Sequence, residues 1–469
     1  MAPPLLVLLF ALLGALPAVV AEHWAVIVAG SNGYSNYRHQ ADACHAYHVV
    51  RRHGIPAENV VLMMFDDVAW HERNPYPGQV FNKPSSKNGS RPVDVYKGCN
   101  IDYRGVEVTP ETFLNVLTGN SSGAFGKKVL NSTAEDRVFV NFVDHGSRGS
   151  VYFPHMKPLS AARLKKAMKT MHDKKMYKEL VFYMEACESG SMFSDSFMKS
   201  INAYVTTAAN GYESSWAAYC PPLDEVDGER IGSCLGDLYS VNWMEDSDLT
   251  DLSGESLTTQ FHRVKNATTK SHVKSFGVSK LSHEIVGNYQ STYDKAPNDD
   301  ESGGDDTESL AKTPGTLGVQ SAVESAVDAR DVDLVVEFYR YLRAAPGKDR
   351  RVVAEELTAI IQAREAADEV FETIRALYEQ QTGSALLQVE EPQNFGCHEE
   401  VTRAYETSCS YAGGLTSYSL KYVGALMDLC EAKLSQDVVL AMVRNACSVV
   451  ELRLATKNGV FDTNVAMLG

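Results

Sequence analysis

The sequence predicts an α/β/α sandwich on a mostly parallel sheet, joined to a separate all-α region. Short apolar runs rich in β-branched and aromatic residues recur through the first part: Trp24 to Ala29, Val60 to Phe65, Val138 to Val143, Leu180 to Met184 and Ala203 to Ala208. Runs of that length, bounded by small or polar residues, read as buried strands. Helical patterns such as Asp42 to Arg52 and Leu159 to Met171 lie between them, and such alternation implies parallel pairing with helices on both faces. After about Gly287 the spacing turns helical: Leu334, Phe338 and Leu342 fall at i, i+4 and i+8, and Leu357, Ile360, Ile361, Ile374 and Leu377 continue it. A length of 469 residues makes two domains the expectation, and 44% hydrophobic with 22% charged content is that of a globular chain with a sizeable core.

Residues 1–21 hold the apolar run Leu5 to Leu13 and end in Val19-Val20-Ala21, which reads as a secretory signal cut near Ala21–Glu22. Pro3, Pro4 and Pro17 frame an apolar core too short for an anchor, and no later stretch is long and apolar enough to span a membrane. The last six residues match neither a retention signal nor a lipid-anchor tail. Residues 22–287 are expected to form the α/β unit, 288–330 a linker and 331–469 the helical region. Within the linker, Asn298 to Asp306 is acidic, glycine-rich and aperiodic, hence a mobile and protease-accessible hinge. A formal net charge of −16 argues against nucleic acid or an anionic membrane as partner and accords with work at low pH.

Secretory entry means that most of the nine cysteines should pair, with at least one left free. Cys397, Cys409, Cys430 and Cys447 cluster as two bridges, and Cys220 and Cys234 bracket a Pro- and Asp-rich loop as a third. Cys187 is the candidate working thiol; Cys44 and Cys99 remain over, and Cys99 has no assignment. Asn88, Asn120, Asn131 and Asn266 stand in Asn-x-Ser/Thr sequons and are glycosylation candidates.

Two strand ends carry the chemistry. One run stops at Asp144-His145-Gly146 and the other at Glu185-Ala186-Cys187. Ligands of open α/β sheets sit at the carboxyl ends of the strands, so both residues are delivered to one rim as a thiol–imidazole pair. The main-chain amides of Gly146 and Cys187 are the candidate oxyanion donors, since a glycine lets its N–H approach unobstructed. Asn36, in the loop after the first strand, is the candidate to orient the imidazole.

These residues stand in longer strings: Ala29-Gly30-Ser31-Asn32-Gly33, Asn36 to Tyr47, Glu185 to Gly190, Thr206 to Asn210, Glu213-Ser214-Ser215 and Gly236 to Asp248. From Trp24 into the four-cysteine tail the chain resembles the legumain family (asparaginyl endopeptidases, vacuolar processing enzymes). The resemblance implies a caspase-like α/β fold with Cys187 as nucleophile, His145 as its partner and Asn36 behind the ring. It implies a pocket for the residue before the cut, built from Arg38, His39, Glu185, Ser215 and Asp237 with Ser214 beside them. Such a pocket suits asparagine: Arg38 donates to the amide oxygen while Glu185 and Asp237 accept from its NH₂. Ionised aspartate is refused there and protonated aspartate accepted, so cleavage after Asp is expected only at acid pH.

The helical region then corresponds to an inhibitory C-terminal prodomain, with bridges Cys397–Cys430 and Cys409–Cys447 and activating cuts at Asn298 or Asp328. The expected product is a zymogen of the secretory pathway, vacuolar, lysosomal or secreted. It needs no cofactor or metal, and its partners are proteins or peptides with exposed Asn and its own prodomain. Arg148 and Ala217 occupy places that bear on hydrolysis versus peptide ligation, with protease activity and some transpeptidase side activity expected. The segment from Asn82 to Cys99 is longer than the family pattern. Two other readings are a glycolipid-anchor transamidase, which would carry a membrane tail, and a catalytically silent binding protein on the same fold, against which intact Asn36, His145 and Cys187 speak.

Overall fold

A computed structural model of the chain describes residues 21–86, 89–292, 321–389 and 394–465. Most of the signal segment, Asn88, Asn298 and the acidic run after it lie outside the described residues. The strands in chain order are β1 (His23–Ala29), β2 (Val60–Met63), β3 (Arg137–Val143), β4 (Gly146–Ser147), β5 (Ser150–Phe153), β6 (Lys157–Ser160), β7 (Glu179–Glu185), β8 (Ala203–Thr207), β9 (Trp216–Ala218), β10 (Glu225–Val226), β11 (Glu229–Arg230), β12 (Gly236–Asp237), β13 (Lys274–Gly277) and β14 (Val327–Asp328). Six of them form the central sheet in the order β13-β8-β7-β3-β1-β2. All its pairings are parallel except that of β13, which runs antiparallel to β8 at the edge.

The strand sequences explain the layers. Side chains alternate across a sheet, and β1 sends Ala25, Ile27 and Ala29 to one core and Trp24, Val26 and Val28 to the other. Both faces are covered, which is why these strands read as continuous apolar runs. One core takes the buried face of the helix Tyr37–Arg52 with Tyr239, Trp243 and Met244 of Leu238–Leu249. The other takes Phe113, Val116 and Leu117 of Pro110–Leu117 and Leu164, Met168 and Met171 of Ala161–Asp173.

Several expected boundaries shift. The first helix begins at Tyr37 rather than Asp42. Its opening turn, Tyr37-Arg38-His39-Gln40, lacks an apolar stripe because every one of those side chains is buried against other elements. The second strand ends at Met63 rather than Phe65, where its pairing with β1 stops at Val28. The α/β unit continues past Gly287 through the helix Gly287–Gln290, whose Tyr289 lies in its core, and Thr292 donates its N–H to the His53 carbonyl at 3.0 Å. The end of the expected linker is packed as well: Ala322 is buried in the α/β core, and Ser325 Oγ accepts from Tyr219 N at 2.9 Å.

The helical region comprises Val332–Arg343, Lys348–Thr382, Phe395–Ser408, Val423–Glu431 and Gln436–Val465. The stripe expected at Leu334, Phe338 and Leu342 is not the buried one: Phe338 and Leu342 are exposed, and Val332 and Val336 are buried instead. The reason is tertiary, since these two valines pack on Ala217 and the Cys220–Cys234 bridge. Ile361 is likewise exposed, whereas Ile374 is buried with Phe371 in the helical core. The bridges are Cys44–Cys99, Cys220–Cys234, Cys397–Cys430 and Cys409–Cys447, and Cys187 alone is free among the described residues. Cys44–Cys99 fastens the long 82–99 segment to the first helix. Asn120, Asn131 and Asn266 are all exposed. No helix of the described residues is long and apolar enough to cross a membrane.

Candidate active site

Strand register brings the two candidate residues to one end of the sheet. β3 and β7 are adjacent and parallel with Val143 opposite Glu185, so His145 and Cys187 each stand two residues beyond a paired position at the same end of the sheet. The turn after His145 tolerates only glycine: a Cβ on Gly146 would lie 2.1 Å from the Cys187 carbonyl oxygen. Both side chains are buried.

The imidazole has a defined orientation. Its Nε2 lies 2.9 Å from Asn36 Oδ1, and Asn36 Nδ2 donates to the Asn32 carbonyl at 2.9 Å. The second bond fixes which way the amide faces, so Nε2 carries the hydrogen and Nδ1 keeps its lone pair. Ser215 N donates to Cys187 Sγ at 3.3 Å. Burial nevertheless pushes the Cys187 thiol up to about 11, opposed by the Arg330 guanidinium and reinforced by Glu188. Burial, together with Arg38 and Arg330, holds His145 well below the ordinary histidine range. The thiol and the imidazole are therefore both held in their neutral forms in this covered state.

Beside the thiol lies a charged pocket. Arg38 Nε donates to Asp237 Oδ1 at 2.8 Å, and Ser240 gives its N–H and hydroxyl to Glu185 Oε2 at 2.9 and 3.0 Å. Glu185 thus sits on the N-terminal amides of the helix Leu238–Leu249, where anions are favoured. Among the described residues, Arg38 Nη2, Glu185 Oε1 and Asp237 Oδ2 are buried with no hydrogen-bond partner, the His39 ring standing 3.4 Å from Asp237 Oδ2. Buried polar atoms without partners cost about 1–3 kcal/mol each, so one donor and two acceptors on neighbouring side chains mark a place made for a ligand. Burial raises Glu185 well above the carboxylate range, and Asp237 adds to the effect.

The other expected residues are placed unequally. His39 adjoins the pocket with Nε2 3.4 Å from Asp237 Oδ2, but its Nδ1 is 2.6 Å from Ser31 Oγ and 3.5 Å from Asp144. Ser215 lies between thiol and pocket, its hydroxyl 3.8 Å from Cys187 Sγ. Ser214 turns away and accepts from Arg330 Nη1 at 2.9 Å. Asp328 lies in β14, antiparallel to β9 with Asp328 opposite Trp216, and Ala329 N donates to the Ser215 carbonyl at 3.1 Å. The last stretch of the linker is therefore an added strand across the cleft. Ala217 is fully buried between β12 and β14.

Asp144, Glu188 and Asp42 were not singled out from the sequence, whereas Arg148 was, for its bearing on hydrolysis versus ligation. Asp144 is buried between Gly30 and His39, and with His39 and His145 it offers three buried ligand atoms within 4.8 Å of one another. The ring nitrogens that face Ser31 and Asn36 already have hydrogen-bond partners there. Glu188, beside the candidate nucleophile, pairs with Arg330, and Arg148 reaches the Gly424 carbonyl at 2.5 Å and pairs with Asp428. Asp42 accepts from the main chain of Asp237 at 3.0 Å. Each is an ordinary charged residue in the sequence, and only its partner, 105 to 280 positions away, reveals it.

The peptidase C13 family matches residues 23–292, and the legumain prodomain matches residues 355–447. Legumain of Rattus norvegicus is 39% identical over 433 residues, covering 91% of this chain and 92% of its own length. Vacuolar-processing enzyme of Vicia sativa is 37% identical over 91% of this chain and 86% of itself, and Legumain of Homo sapiens is 38% identical over 89% and 93%. Among solved structures, caspase-1 of Spodoptera frugiperda covers 58% of this chain and 94% of its own, with TM-score 0.33 and 9% identity. A thiol and an imidazole on neighbouring strand ends, a pocket with unfilled hydrogen bonds beside them and matches at both ends of the chain agree: this protein belongs to the peptidase C13, or legumain, family of cysteine endopeptidases and carries the family's prodomain.

Proposed function

We propose that the protein is a zymogen whose mature form cleaves peptide bonds after asparagine, and after aspartate only at acid pH. The observation that carries this reading is the unfilled hydrogen-bonding set of Arg38, Glu185 and Asp237. A carboxamide offers one oxygen acceptor and an NH₂ with two donors, which matches one guanidinium N–H and two carboxylate oxygens. An apolar side chain leaves all three unpaired, and a ligand lacking the needed polar group is rejected by about 10⁴-fold. An ionised aspartate adds a third negative charge and is refused until it is protonated.

Chemistry follows from the tautomer. With Nε2–H held on Asn36, His145 Nδ1 takes the proton of Cys187, and the sulfur attacks the scissile carbonyl. The amides of Gly146 and Cys187 receive the oxyanion. Collapse expels the amine, which takes the proton back from His145, and a thioester remains. Water resolves it by hydrolysis, and a peptide amine resolves it by ligation as a side activity.

The covered state prevents this. β14 lies across the cleft, and burial with the nearby charges keeps both the thiol and the imidazole neutral. Removal of the helical region re-exposes the thiol and takes away Arg330, whose positive charge disfavours a second cation on His145. Activation cuts at Asp328, within the strand, or at Asn298, and the Asp cut waits for acid. The expected compartment is acidic and reached through the secretory pathway. The test is a pair of peptides differing only in Asn or Asp, incubated with matured protein at neutral and acid pH and analysed for cut and joined products. Expected are Asn cleavage at both values and Asp cleavage only in acid, with neither in Cys187→Ala. Equal Asp cleavage at neutral pH defeats the pocket reading, and acid maturation of Cys187→Ala without added protease defeats self-activation.

A further inference from the structure

Behind the pocket lies a second buried layer that no step above uses. Asp42 stands one turn along the first helix from Arg38 and is fully buried. Its Oδ2 accepts from the Asp237 main-chain N–H at 3.0 Å, and its Oδ1 accepts from Asn82 Nδ2 at 2.7 Å. The same Nδ2 donates to the Leu235 carbonyl at 2.8 Å. Two acceptors around one nitrogen fix the amide, turning Asn82 Oδ1 to His45 Nδ1 at 2.6 Å. His45 Nε2 lies 2.9 Å from Asp248, which Arg52 also engages. A Cβ on Gly236 would lie 2.9 Å from Asn82 Nδ2 and 3.0 Å from Asp42 Oδ1, so main chain and network are in contact. Asn82 opens the long 82–99 segment, and Cys99 at its far end is bonded to Cys44, two residues from Asp42.

We propose that Asp42 is a positioning and specificity-determining residue for the position before the cut: held by Asn82, it fastens the Asp237 main chain and places a titratable negative charge behind the pocket that helps exclude ionised aspartate. The inference rests on the asparaginyl reading above. The titratable groups that act on Asp42 are Asp237, Glu185 from β7 and Tyr219, with Arg38 and His45 about one turn away on its own helix. Burial first, then the charges of Asp237 and Glu185 and a hydrogen bond shared with the Asp237 side chain, push Asp42 well above the carboxylate range, while the Asn82 bond pulls it down. As pH falls, Asp42 therefore takes a proton before an exposed carboxylate does. The field behind the pocket weakens, and aspartate is admitted at a pH above that at which its own carboxyl, near 4, is protonated.

The test measures kcat/KM for the Asn and Asp peptides from pH 4 to 7.5. It compares wild type, Asp42→Asn and Asn82→Ala, each made as the full chain, matured alike and active-site titrated. Asp42→Asn is the permanently uncharged form, and the Asp-to-Asn ratio at neutral pH should rise roughly tenfold. Asn82→Ala removes the donor that favours the ionised carboxylate, so the pH at which Asp cleavage appears should move upward by a smaller amount. A merely structural role lowers both substrates together, and an unchanged ratio in both variants, or a downward move in Asn82→Ala, overturns the proposal. A wild type that fails to prefer Asn overturns the functional reading instead. If Asp42→Asn does not fold, Asn82→Ala alone decides by the direction of its shift.

Discussion

The pocket and the seam between the two regions both bury charge, but in different proportions. In and behind the pocket, the carboxylates Asp42, Glu185 and Asp237 lie close enough to act on one another, and the one guanidinium among them, Arg38, pairs with Asp237. Along the seam the carboxylates are matched by arginines: Glu188 with Arg330, Asp428 with Arg148, and Glu337 with both Arg73 and Arg340. Buried charge is tolerated when it is paired and hydrogen-bonded. The seam meets that condition within the chain, whereas the pocket meets it only when something else arrives. Excess acceptors are thus the mark of a binding site and carboxylates matched by arginines the mark of a cover, since unfilled guanidinium N–H groups occur in both, at Arg38 Nη2 and at Nε of Arg148 and Arg330.

The largest expected effect breaks the pocket's side of this contrast. Glu185→Gln keeps the shape but replaces an acceptor with a donor where the substrate amide donates, and kcat/KM for an Asn peptide should fall by roughly a thousandfold. The unfolding midpoint of the intact zymogen should not fall, because the seam is untouched. A fall of under tenfold in turnover places the specificity elsewhere.

The seam answers to Arg330→Ala. Stranding a buried partner costs about 3 kcal/mol, and in a Cys187→Ala background the helical region should become that much easier to detach, read as protease sensitivity in dilute denaturant. The pH dependence has a definite sign. Burial lifts Glu188 to about 7 from 4.5 despite Arg330, so docking takes up a proton between those values, and Glu188 by itself opposes docking more as pH rises. Arg330 offsets this only while Glu188 is ionised, so the substitution should matter most above about pH 7 and least in acid. A cost that does not change with pH would show that Arg330 acts by packing alone.

The smallest effect sharpens the comparison at the thiol. Cys187 at about 11 in the covered state holds about a hundredfold less thiolate at neutral pH than an ordinary thiol. Higher nucleophilicity recovers part of that. Alkylation by a small haloacetamide should therefore be about tenfold slower in the zymogen on ionisation grounds, with steric cover slowing it further. Equal rates before and after maturation would mean that the covered thiol is neither buried nor neutral in solution.

How much was legible depends on whether a residue's partner is near in sequence. β3 and β7 could be read because a strand buried on both faces must be apolar throughout, and the residue that breaks the run, His145 or Cys187, is then conspicuous. The opening turn of the first helix could not, because Arg38, His39 and Gln40 are buried polar residues whose partners, Asp237, Ser31 and Asp67, lie elsewhere in the chain. Phe338 and Leu342 misled for the converse reason. Their spacing is helical, but the surface offered by Ala217 and the Cys220–Cys234 bridge selects Val332 and Val336.

The sequence by itself determined the strands, the strand-end thiol and imidazole and the change to a helical second region, because each is a local pattern of apolar spacing interrupted by one reactive residue. Tertiary structure alone decided the Cys44–Cys99 bridge, the turning of Ser214 and Arg148 toward the helical region and the Asn82–Asp42 layer behind the pocket. Those rest on contacts between segments far apart in the chain, where a charge is expensive unless its partner is delivered by folding, and no local pattern records which partner that will be.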